Sequence, residues 1–237
     1  MDTKIAYVTD IHLDETPEEL EVQTHKNWEI ILKDISERGI QHIIVGGDIG
    51  KASTHQWFFK SIKDYKIDIT LGNHDSFNAI MQYYKHNHSN KQQELYYTYN
   101  LGSFKLLFMD SSADIISEQQ LLWLKEEIVT SKNILLFIHH SILPVNAEVD
   151  KRFALKNRKL IKAMLVDLKK QVAVFSGHYH FNHETSFQNI YQFITLACSF
   201  QVEKIPNELK TNADTFGYRI LNVDKDNLET ELVLFKS

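Results

Sequence analysis

Five short groups of residues with metal-binding chemistry are spaced along the chain, each directly after an apolar run that reads as a strand. They are Asp10-Ile11-His12, Gly46-Gly47-Asp48, Gly72-Asn73-His74-Asp75, His139-His140 and Gly177-His178-Tyr179-His180. Carboxylates, imidazoles and an amide oxygen suit borderline-hard cations such as Mn²⁺, Fe²⁺, Fe³⁺ or Zn²⁺. These side chains outnumber the ligands that one ion takes, so two ions sharing a carboxylate fit the set better.

Taken singly, each group is a weak signal. An Asp-x-His is common by chance, His139-His140 fits one core histidine beside an exposed one, and Gly46-Gly47-Asp48 fits a plain turn. Their joint occurrence, each after an apolar run, is far more specific than any one of them.

The spacing within the groups suggests how the side chains point. Alternate residues of an extended segment face the same way, so Asp10 and His12 are expected to reach one centre, as are His178 and His180. Glycines in the same groups are expected to allow tight turns beside the ions. They are Gly46, Gly47, Gly72 and Gly177.

The segments between the groups predict alternating strands and helices in the first half of the chain. Strands are expected at residues 5–8, 40–45 and 67–71, and helices at 17–38, 54–65 and 77–84. Pro17 suits a first helical turn and Gly39 suits the residue after a helix end. This order implies right-handed crossovers and a largely parallel sheet, whose strand ends share one rim where the groups converge.

The second half predicts more strands. A hairpin joins residues 96–99 to 104–109, a capping box starts a helix at Ser117, and strands are expected at 134–138, 172–175 and throughout the chain from Glu184 onward. A mostly helical stretch is expected at 153–168. We therefore predict an α/β fold with a mixed sheet system, in a single domain over residues 1–237.

Composition excludes several classes of protein. The chain has 26 Lys and Arg against 31 Asp and Glu, a net charge of −5 that disfavours nucleic-acid binding. The single cysteine, Cys198, excludes an intramolecular disulfide and a cysteine zinc site. No apolar run is long enough for a membrane helix, and the start does not resemble a signal peptide, so a cytoplasmic protein is expected.

The ordered set of groups resembles the calcineurin-like metallophosphoesterase superfamily, whose pattern is D-x-H, G-D, G-N-H-[D/E], H and G-H-x-H. Within it, the chain is similar to the bacterial class III 3′,5′-cyclic nucleotide phosphodiesterases. Further similar stretches are Tyr96-Tyr97-Thr98-Tyr99, Leu107-Phe108-Met109-Asp110-Ser111, Ala197-Cys198-Ser199-Phe200-Gln201 and Gly217-Tyr218-Arg219. The resemblance implies a four-layer α/β/β/α sandwich.

The resemblance also implies roles for particular residues. Asp10, His12, Asp48 and His180 would hold one ion. Asp48, Asn73, His139 and His178 would hold the other, so that Asp48 bridges. Mn²⁺ or iron, with Zn²⁺ as an alternative, would activate a shared hydroxide as nucleophile. His74 would contact the phosphate and protonate the leaving oxygen, and Asp75 would orient His74.

Two departures from the group's pattern are expected to border the substrate site. Ser141 and Ile142 stand where two prolines are usual, and Ile49-Gly50-Lys51-Ala52 stands where a polar residue usually follows G-D. Lys51 also occupies the position of the tyrosine ligand of purple acid phosphatases. The same segment lacks the acidic and arginine residues of protein serine/threonine phosphatases, and His74 stands where lipid A pathway pyrophosphatases carry arginine.

We therefore expect a metal-dependent phosphohydrolase acting on a small phosphate ester. Phosphodiester hydrolysis is the leading activity, with 3′,5′-cyclic nucleotides tried first. A phosphomonoesterase or a nucleotide-pyrophosphate hydrolase on the same centre is the alternative, and a non-catalytic interaction scaffold is the rival from another class. The oligomeric state is left open.

Several other residues have more than one interpretation. His140 fits either the site or a hydrogen-bonded core role, and His183 is a weaker candidate for the pocket. His86 and His88 are expected in a solvated loop. A basic cluster at residues 151–159 is expected to be a solvated helix face.

Overall fold

The computed structural model of the protein describes residues 3–85 and 93–237. The loop predicted around His86 and His88 lies outside these residues. Within them, the strands are β1 (Thr3–Val8), β2 (His42–Val45), β3 (Lys66–Ile69), β4 (Tyr97–Leu101), β5 (Phe104–Met109), β6 (Asn133–Ile138), β7 (Val172–Ser176), β8 (His183–Phe187), β9 (Ile190–Ile194), β10 (Gln201–Val202), β11 (Thr211–Asn212), β12 (Thr215–Asp224) and β13 (Asn227–Lys236).

The α-helices of the same residues are α1 (Thr24–Glu37), α2 (His55–Ser61), α3 (Phe77–Ile80), α4 (Glu118–Glu127), α5 (Glu148–Phe153) and α6 (Arg158–Val166). Short 3₁₀ turns precede α1 and α2, at Glu18–Leu20 and Ala52–Thr54. No helix of the described residues is long and apolar enough to cross a membrane.

The strands form two mixed sheets and a small hairpin. The first sheet has the order β13-β12-β1-β2-β3, and the second has the order β4-β5-β6-β7-β9-β8. Parallel pairs join β1, β2 and β3 in the first sheet, and β5, β6, β7 and β9 in the second. The prediction of a largely parallel arrangement is therefore right for β1, β2 and β3 and for the four central strands of the second sheet, but the strands belong to two sheets.

The alternation of side chains along the strands explains why the sheets pack face to face. In β6, Leu135 and Phe137 belong to the apolar core between the sheets, whereas Leu136 belongs to a second core under the outer helices. The ring of Tyr7 in β1 lies 5.9 Å from the ring of Phe137. Successive strand residues point to opposite faces, so each sheet presents one face to its partner sheet and one to helices.

Helices cover the two outer faces. Trp28 and Ile31 of α1 pack with the first sheet, and Leu124 of α4 and Ile161 of α6 pack with the second. The expected four-layer α/β/β/α sandwich is confirmed.

Several predicted helices are shorter than expected. The stretch 17–38 is divided, because Glu21 adopts a left-handed φ of 49° and separates the 3₁₀ turn from α1. The helix predicted at 77–84 ends at Ile80. The stretch 153–168 contains only α6, and α5 before it was not predicted. The cap at Ser117 is confirmed, since its hydroxyl accepts a hydrogen bond from the amide of Gln120.

Candidate metal centre

The predicted ligand groups follow strands of both sheets. Those of Asp10, Asp48 and Asn73 come after β1, β2 and β3 of the first sheet, whereas those of His139 and His178 come after β6 and β7 of the second. The expectation that one sheet rim assembles the site is therefore wrong. Two facing sheets place their strand ends side by side, and the candidate ligands meet across them.

The first group of candidate ligands contains Asp10, His12 and His180. Nε2 of His180 lies 3.2 Å from Oδ1 of Asp10 and 3.2 Å from Nε2 of His12. One potential ligand atom from each of the three side chains lies within 4.8 Å of those of the other two. All three residues are buried, so this group lies at the floor of the site.

The second group contains Asp48, His139 and His178, which meet the same distance criterion. Oδ2 of Asp48 lies 3.1 Å from Nε2 of His139 and 3.6 Å from Nε2 of His12. Asp48 therefore reaches both groups with one carboxylate, the geometry that a bridging ligand requires.

Backbone carbonyls determine which nitrogen of each histidine is free. Nδ1 of His139 lies 2.7 Å from the carbonyl oxygen of Gly46, and Nδ1 of His180 lies 2.9 Å from that of Phe200. In His178 the bonded nitrogen is Nε2, which lies 2.9 Å from the carbonyl oxygen of Phe153. Each ring donates one N–H to the backbone and keeps the other nitrogen for a cation, as metal-binding histidines commonly do.

Unsatisfied polar atoms support the fit of this site to metal ions. Among the described residues, Nε2 of His139 and Nδ1 of His12 are buried and make no well-aligned hydrogen bond. Buried polar atoms are normally paired, so groups left without a partner call for an explanation. A donor set of carboxylates and imidazoles without thiolate suits Mn²⁺, iron or Zn²⁺.

The electrostatics of the groups keep the carboxylates charged. Burial alone would raise the pKa of Asp10, but His180 and His139 outweigh it and lower the pKa to about 2. The pKa of Asp48 is likewise held well below its ordinary value, because His139 and then His12 outweigh the effect of burial. Burial and the neighbouring His139 lower the pKa of His178 to about 4, so its imidazole is neutral. Burial opposes the charged form of His139, but Asp48 and then Asp10 outweigh it and raise the pKa of His139 to about 10, so a cation would have to displace the second proton of this ring. Anionic carboxylates and neutral imidazoles are the forms that bind metal.

The backbone at the ligand positions is strained, not extended. The residues Asp10, His12, Asp48, His178 and His180 all have positive φ angles, between 47° and 67°. Such angles are uncommon outside glycine and concentrate at functional sites. Asp10 and His12 join one group as expected, although not from an extended segment. His178 and His180 join different groups, so the expectation that they reach one centre is wrong.

Close approach of chain segments explains two of the glycines. A Cβ on Gly72 would lie 2.1 Å from Oδ1 of Asp48, and a Cβ on Gly177 would lie 2.2 Å from Oδ2 of Asp10. Any larger residue would displace the carboxylates. Of the four glycines expected to form tight turns, only Gly47 has a positive φ.

Asn73 and His74 lie at the opening of the site. Both are exposed and line a cleft of about 610 Å³ together with His12, Asp48, His178 and His180. The amide of His74 donates a hydrogen bond to Oδ1 of Asp48. The backbone of His74 is thus tied to the second group, whereas its ring lies beside the first, 5.0 Å from the ring of His12.

Glu15 was not identified from the sequence. Its Oε1 lies 3.3 Å from Nδ1 of His74, and its Oε2 lies 3.8 Å from Nδ1 of His12. It stands in a polar, acidic stretch where nothing in the pattern distinguishes it from its neighbours.

Asp75 was expected to orient the ring of His74, but its carboxylate bonds elsewhere. Its carboxylate accepts hydrogen bonds from the amides of Asp48, Ile49 and Gly72 instead. Burial and then the charge of Asp48 raise the pKa of Asp75 to about 7. Asp75 therefore positions the turn that carries Asp48.

The two departures from the family pattern differ in position. Lys51 lines the cleft, but Ser141 and Ile142 are buried and do not line it. The amide of Ile142 donates to the side chain of Gln192, so this segment belongs to the core of the second sheet.

The remaining candidates have structural contacts. His140 is buried, its Nδ1 lies 2.9 Å from Oγ of Ser111, and its ring centroid lies 4.0 Å from that of His178, so it is hydrogen-bonded in the core directly beside a candidate ligand. His183 pairs with Lys204 and belongs to none of the candidate ligand groups of the described residues. Several cations of the 151–159 cluster pair with nearby acids, among them Arg152 with Glu148 and Arg158 with Asp150.

Comparison with known proteins agrees with this geometry. The sequence profile of the calcineurin-like phosphoesterase superfamily domain matches residues 3–193, so the chain belongs to this superfamily. By class, the protein is a metal-dependent phosphohydrolase, as expected.

Curated relatives extend over nearly the whole chain. A probable cyclic nucleotide phosphodiesterase of Fibrobacter succinogenes is 25% identical over 239 residues, covering 97% of this chain and 93% of the relative. The 3′,5′-cyclic adenosine monophosphate phosphodiesterase CpdA of Haemophilus influenzae is 24% identical over 249 residues, covering 97% and 89%.

Among solved structures, a dimetal phosphatase from Danio rerio superposes with a TM-score of 0.72 at 11% identity. The alignment covers 97% of this chain and 95% of that one. At this identity, the likeness shows the fold alone.

Proposed function

We propose that this protein hydrolyses phosphodiesters, with 3′,5′-cyclic nucleotides as the first candidate substrates, at a centre of two metal ions. The proposed ligands are Asp10, His12, Asp48, Asn73, His139, His178 and His180. The supporting observation is that the Asp48 carboxylate lies close to histidines of both three-residue groups, at the floor of one cleft. The names of the curated relatives support the choice of cyclic nucleotides.

Two cations at this site would withdraw charge from the phosphoryl oxygens and lower the pKa of water, the nucleophile. Individual residues of the chain would have different roles in this reaction. Asp48 contacts both ligand groups and so sets their separation. His74, next to Asn73, is placed to donate a proton to the leaving oxygen, and Glu15 holds its ring.

The proposal is tested first by metal content. Purified protein should bind two ions per chain, chelation should abolish hydrolysis, and Mn²⁺ should restore it. Asp48→Ala should lose both ions, because Asp48 is the proposed bridge. His183→Ala, which changes a histidine outside the ligand groups, is the matched control and should keep two ions. One ion or none in an active protein would contradict the two-metal assignment.

A substrate panel then separates the candidate activities. Cyclic nucleotides, glycerophosphodiesters, nucleoside diphosphate esters and monoesters are compared by kcat/KM with Mn²⁺ added. A tenfold preference for monoesters, about 1.4 kcal/mol of transition-state free energy, would identify a phosphatase instead. A folded protein with neither metal nor turnover would fit the scaffold. A cytoplasmic location and a lack of nucleic-acid binding stay predictions from the sequence.

A further inference from the structure

Two chemically different sets of residues line the cleft above the ligand groups. The loops after β1, β2 and β3 contribute Asp14, Glu15, Lys51, Asn73 and His74. Helix α5 and the segment 200–209 contribute Val149, Phe153, Phe200, Val202 and Leu209, here called the apolar wall. A phosphate ester bound at the floor would therefore place its organic part between a charged and an apolar surface.

Two side chains of the apolar wall are exposed although they are large and apolar. Phe153 is 50% exposed and Leu209 is 38% exposed. Exposed apolar side chains that line a cleft beside polar groups are typical of ligand contacts. A ligand bound in the cleft would therefore cover the apolar surface that Phe153 and Leu209 expose in the free protein.

The apolar wall is attached to the candidate ligands. The carbonyl of Phe153 holds His178 and the carbonyl of Phe200 holds His180, and the ring centroids of Phe200 and His180 are 4.5 Å apart. The amide of Val202 donates to the carbonyl of His180. The distance between the wall and the phosphate position is thus set by the same contacts that orient the ligands.

The two segments of the wall are also joined to each other. The amide of Glu148, at the start of α5, donates to the carbonyl of Ile205. Nζ of Lys151 contacts the carbonyl of Pro206 and lies 3.0 Å from Oδ1 of Asn207. Helix α5 and the segment around residue 205 therefore present one preorganised surface, which reduces the ordering cost of binding.

We propose that the apolar wall is the subsite for a flat ring of the substrate, a nucleobase, and that Phe153 and Leu209 are its main contacts. The inference rests on the proposed phosphodiesterase function. Aromatic and apolar side chains bind bases through their faces. Among the described residues lining the cleft, Lys51 is the only lysine or arginine, which disfavours substrates with several phosphates.

The subsite is tested by binding, separately from turnover. Adenosine 5′-monophosphate and ribose 5-phosphate carry the same phosphate on the same sugar and differ in the base. We expect the Mn²⁺-loaded protein to bind the former about 10- to 100-fold more tightly in calorimetric titration. Phe153→Ala and Leu209→Ala should each reduce that ratio, while the affinity for ribose 5-phosphate stays unchanged.

Matched variants control for indirect effects. Phe153→Trp keeps a flat ring and should keep the ratio. Leu122→Ala removes an exposed leucine of α4, outside the cleft, and should also leave it unchanged. The contact between Phe153 and His178 is made by the backbone carbonyl of Phe153, so Phe153→Ala and Phe153→Trp both leave it in place.

Hydrolysis supplies the second comparison. Adenosine 3′,5′-cyclic monophosphate and methyl riboside 3′,5′-cyclic phosphate share the scissile ester, and the wild type should prefer the former in kcat/KM. Equal binding of adenosine 5′-monophosphate and ribose 5-phosphate would overturn the subsite whatever is hydrolysed. A large binding ratio without hydrolysis of any diester would retain the subsite and reject the proposed function.

Discussion

Oε1 of Glu15 lies 3.3 Å from Nδ1 of His74, and this carboxylate comes from the loop after β1, not from the neighbouring Asp75. The side chain of Glu15 is partly buried and that of His74 is 44% exposed, so the pair lies where the cleft opens. A carboxylate in this place limits the rotation of the imidazole. The pair therefore makes Glu15 a positioning residue for the proposed proton donor.

Glu15→Gln should lower kcat on cyclic nucleotides by about 10- to 100-fold and change KM much less. The amide still fills the space, but it lacks the second acceptor oxygen and the charge with which the Glu15 carboxylate holds the ring of His74. Metal content should stay at the wild-type level, and Glu18→Gln, an exposed acid nearby, should behave as wild type. Loss of metal in Glu15→Gln would instead place Glu15 among the ligands, because its carboxylate also approaches His12.

His74→Ala should separate proton donation from phosphate binding. General acids contribute about 10²- to 10⁴-fold, and their value depends on how strongly the leaving oxygen needs a proton. The variant should keep its metals, lose most activity on cyclic nucleotides and lose much less on nitrophenyl diesters. Equal losses on both substrates would show that His74 mainly binds phosphate or stabilises charge.

The location of the site was predictable because its residues combine a rare chemistry with a common position. Buried strands such as β1 and β7 are visible as short apolar runs, and a carboxylate or imidazole directly after such a run stands out. The assembly across two sheets followed only from the resemblance, since local patterns do not tell which strands pair.

What the sequence could not give is geometry that depends on distant contacts. The positive φ of His178 is supported by its amide bonding to the carboxylate of Asp10, a contact between residues 168 positions apart. The break in helix 17–38 depends on the backbone of Glu21, a residue whose type carries no such signal. Glu15 and the apolar wall were missed for the same reason, as ordinary residues acquire a role only through folding.

Asp75→Asn distinguishes the predicted role of Asp75 from the observed one. The asparagine side chain offers a single acceptor oxygen to the three amides that Asp75 serves, so the turn carrying Asp48 should loosen. We expect Mn²⁺ affinity to fall about 10- to 100-fold, with most of the rate restored at saturating Mn²⁺. Normal Mn²⁺ affinity with a lost rate would return Asp75 to the role of orienting His74.

A buried cluster far from the cleft should stabilise the contact between the two sheets. Asp68 of β3 lies 2.6 Å from Nε2 of His42 in β2 and accepts a hydrogen bond of 2.7 Å from Tyr99 in β4. Asp68→Asn keeps the shape but removes the charge from these bonds. We expect the free energy of unfolding at pH 7, measured by urea denaturation, to fall by about 1–3 kcal/mol.

The pH dependence of that loss follows from the pKa of Asp68. Burial opposes ionisation, but the hydrogen bonds from His42 and Tyr99 outweigh it and keep the pKa below its ordinary value. Because the folded pKa is lowered, the stabilisation is fully present above the unfolded pKa of about 3.9 and is lost as pH falls through the folded value. The difference between wild type and Asp68→Asn should therefore be constant from pH 7 to 5 and shrink below pH 4. The exposed Asp64→Asn serves as control and should show little difference at any pH. A difference for Asp68→Asn that grows on acidification would show that the carboxylate destabilises the folded protein.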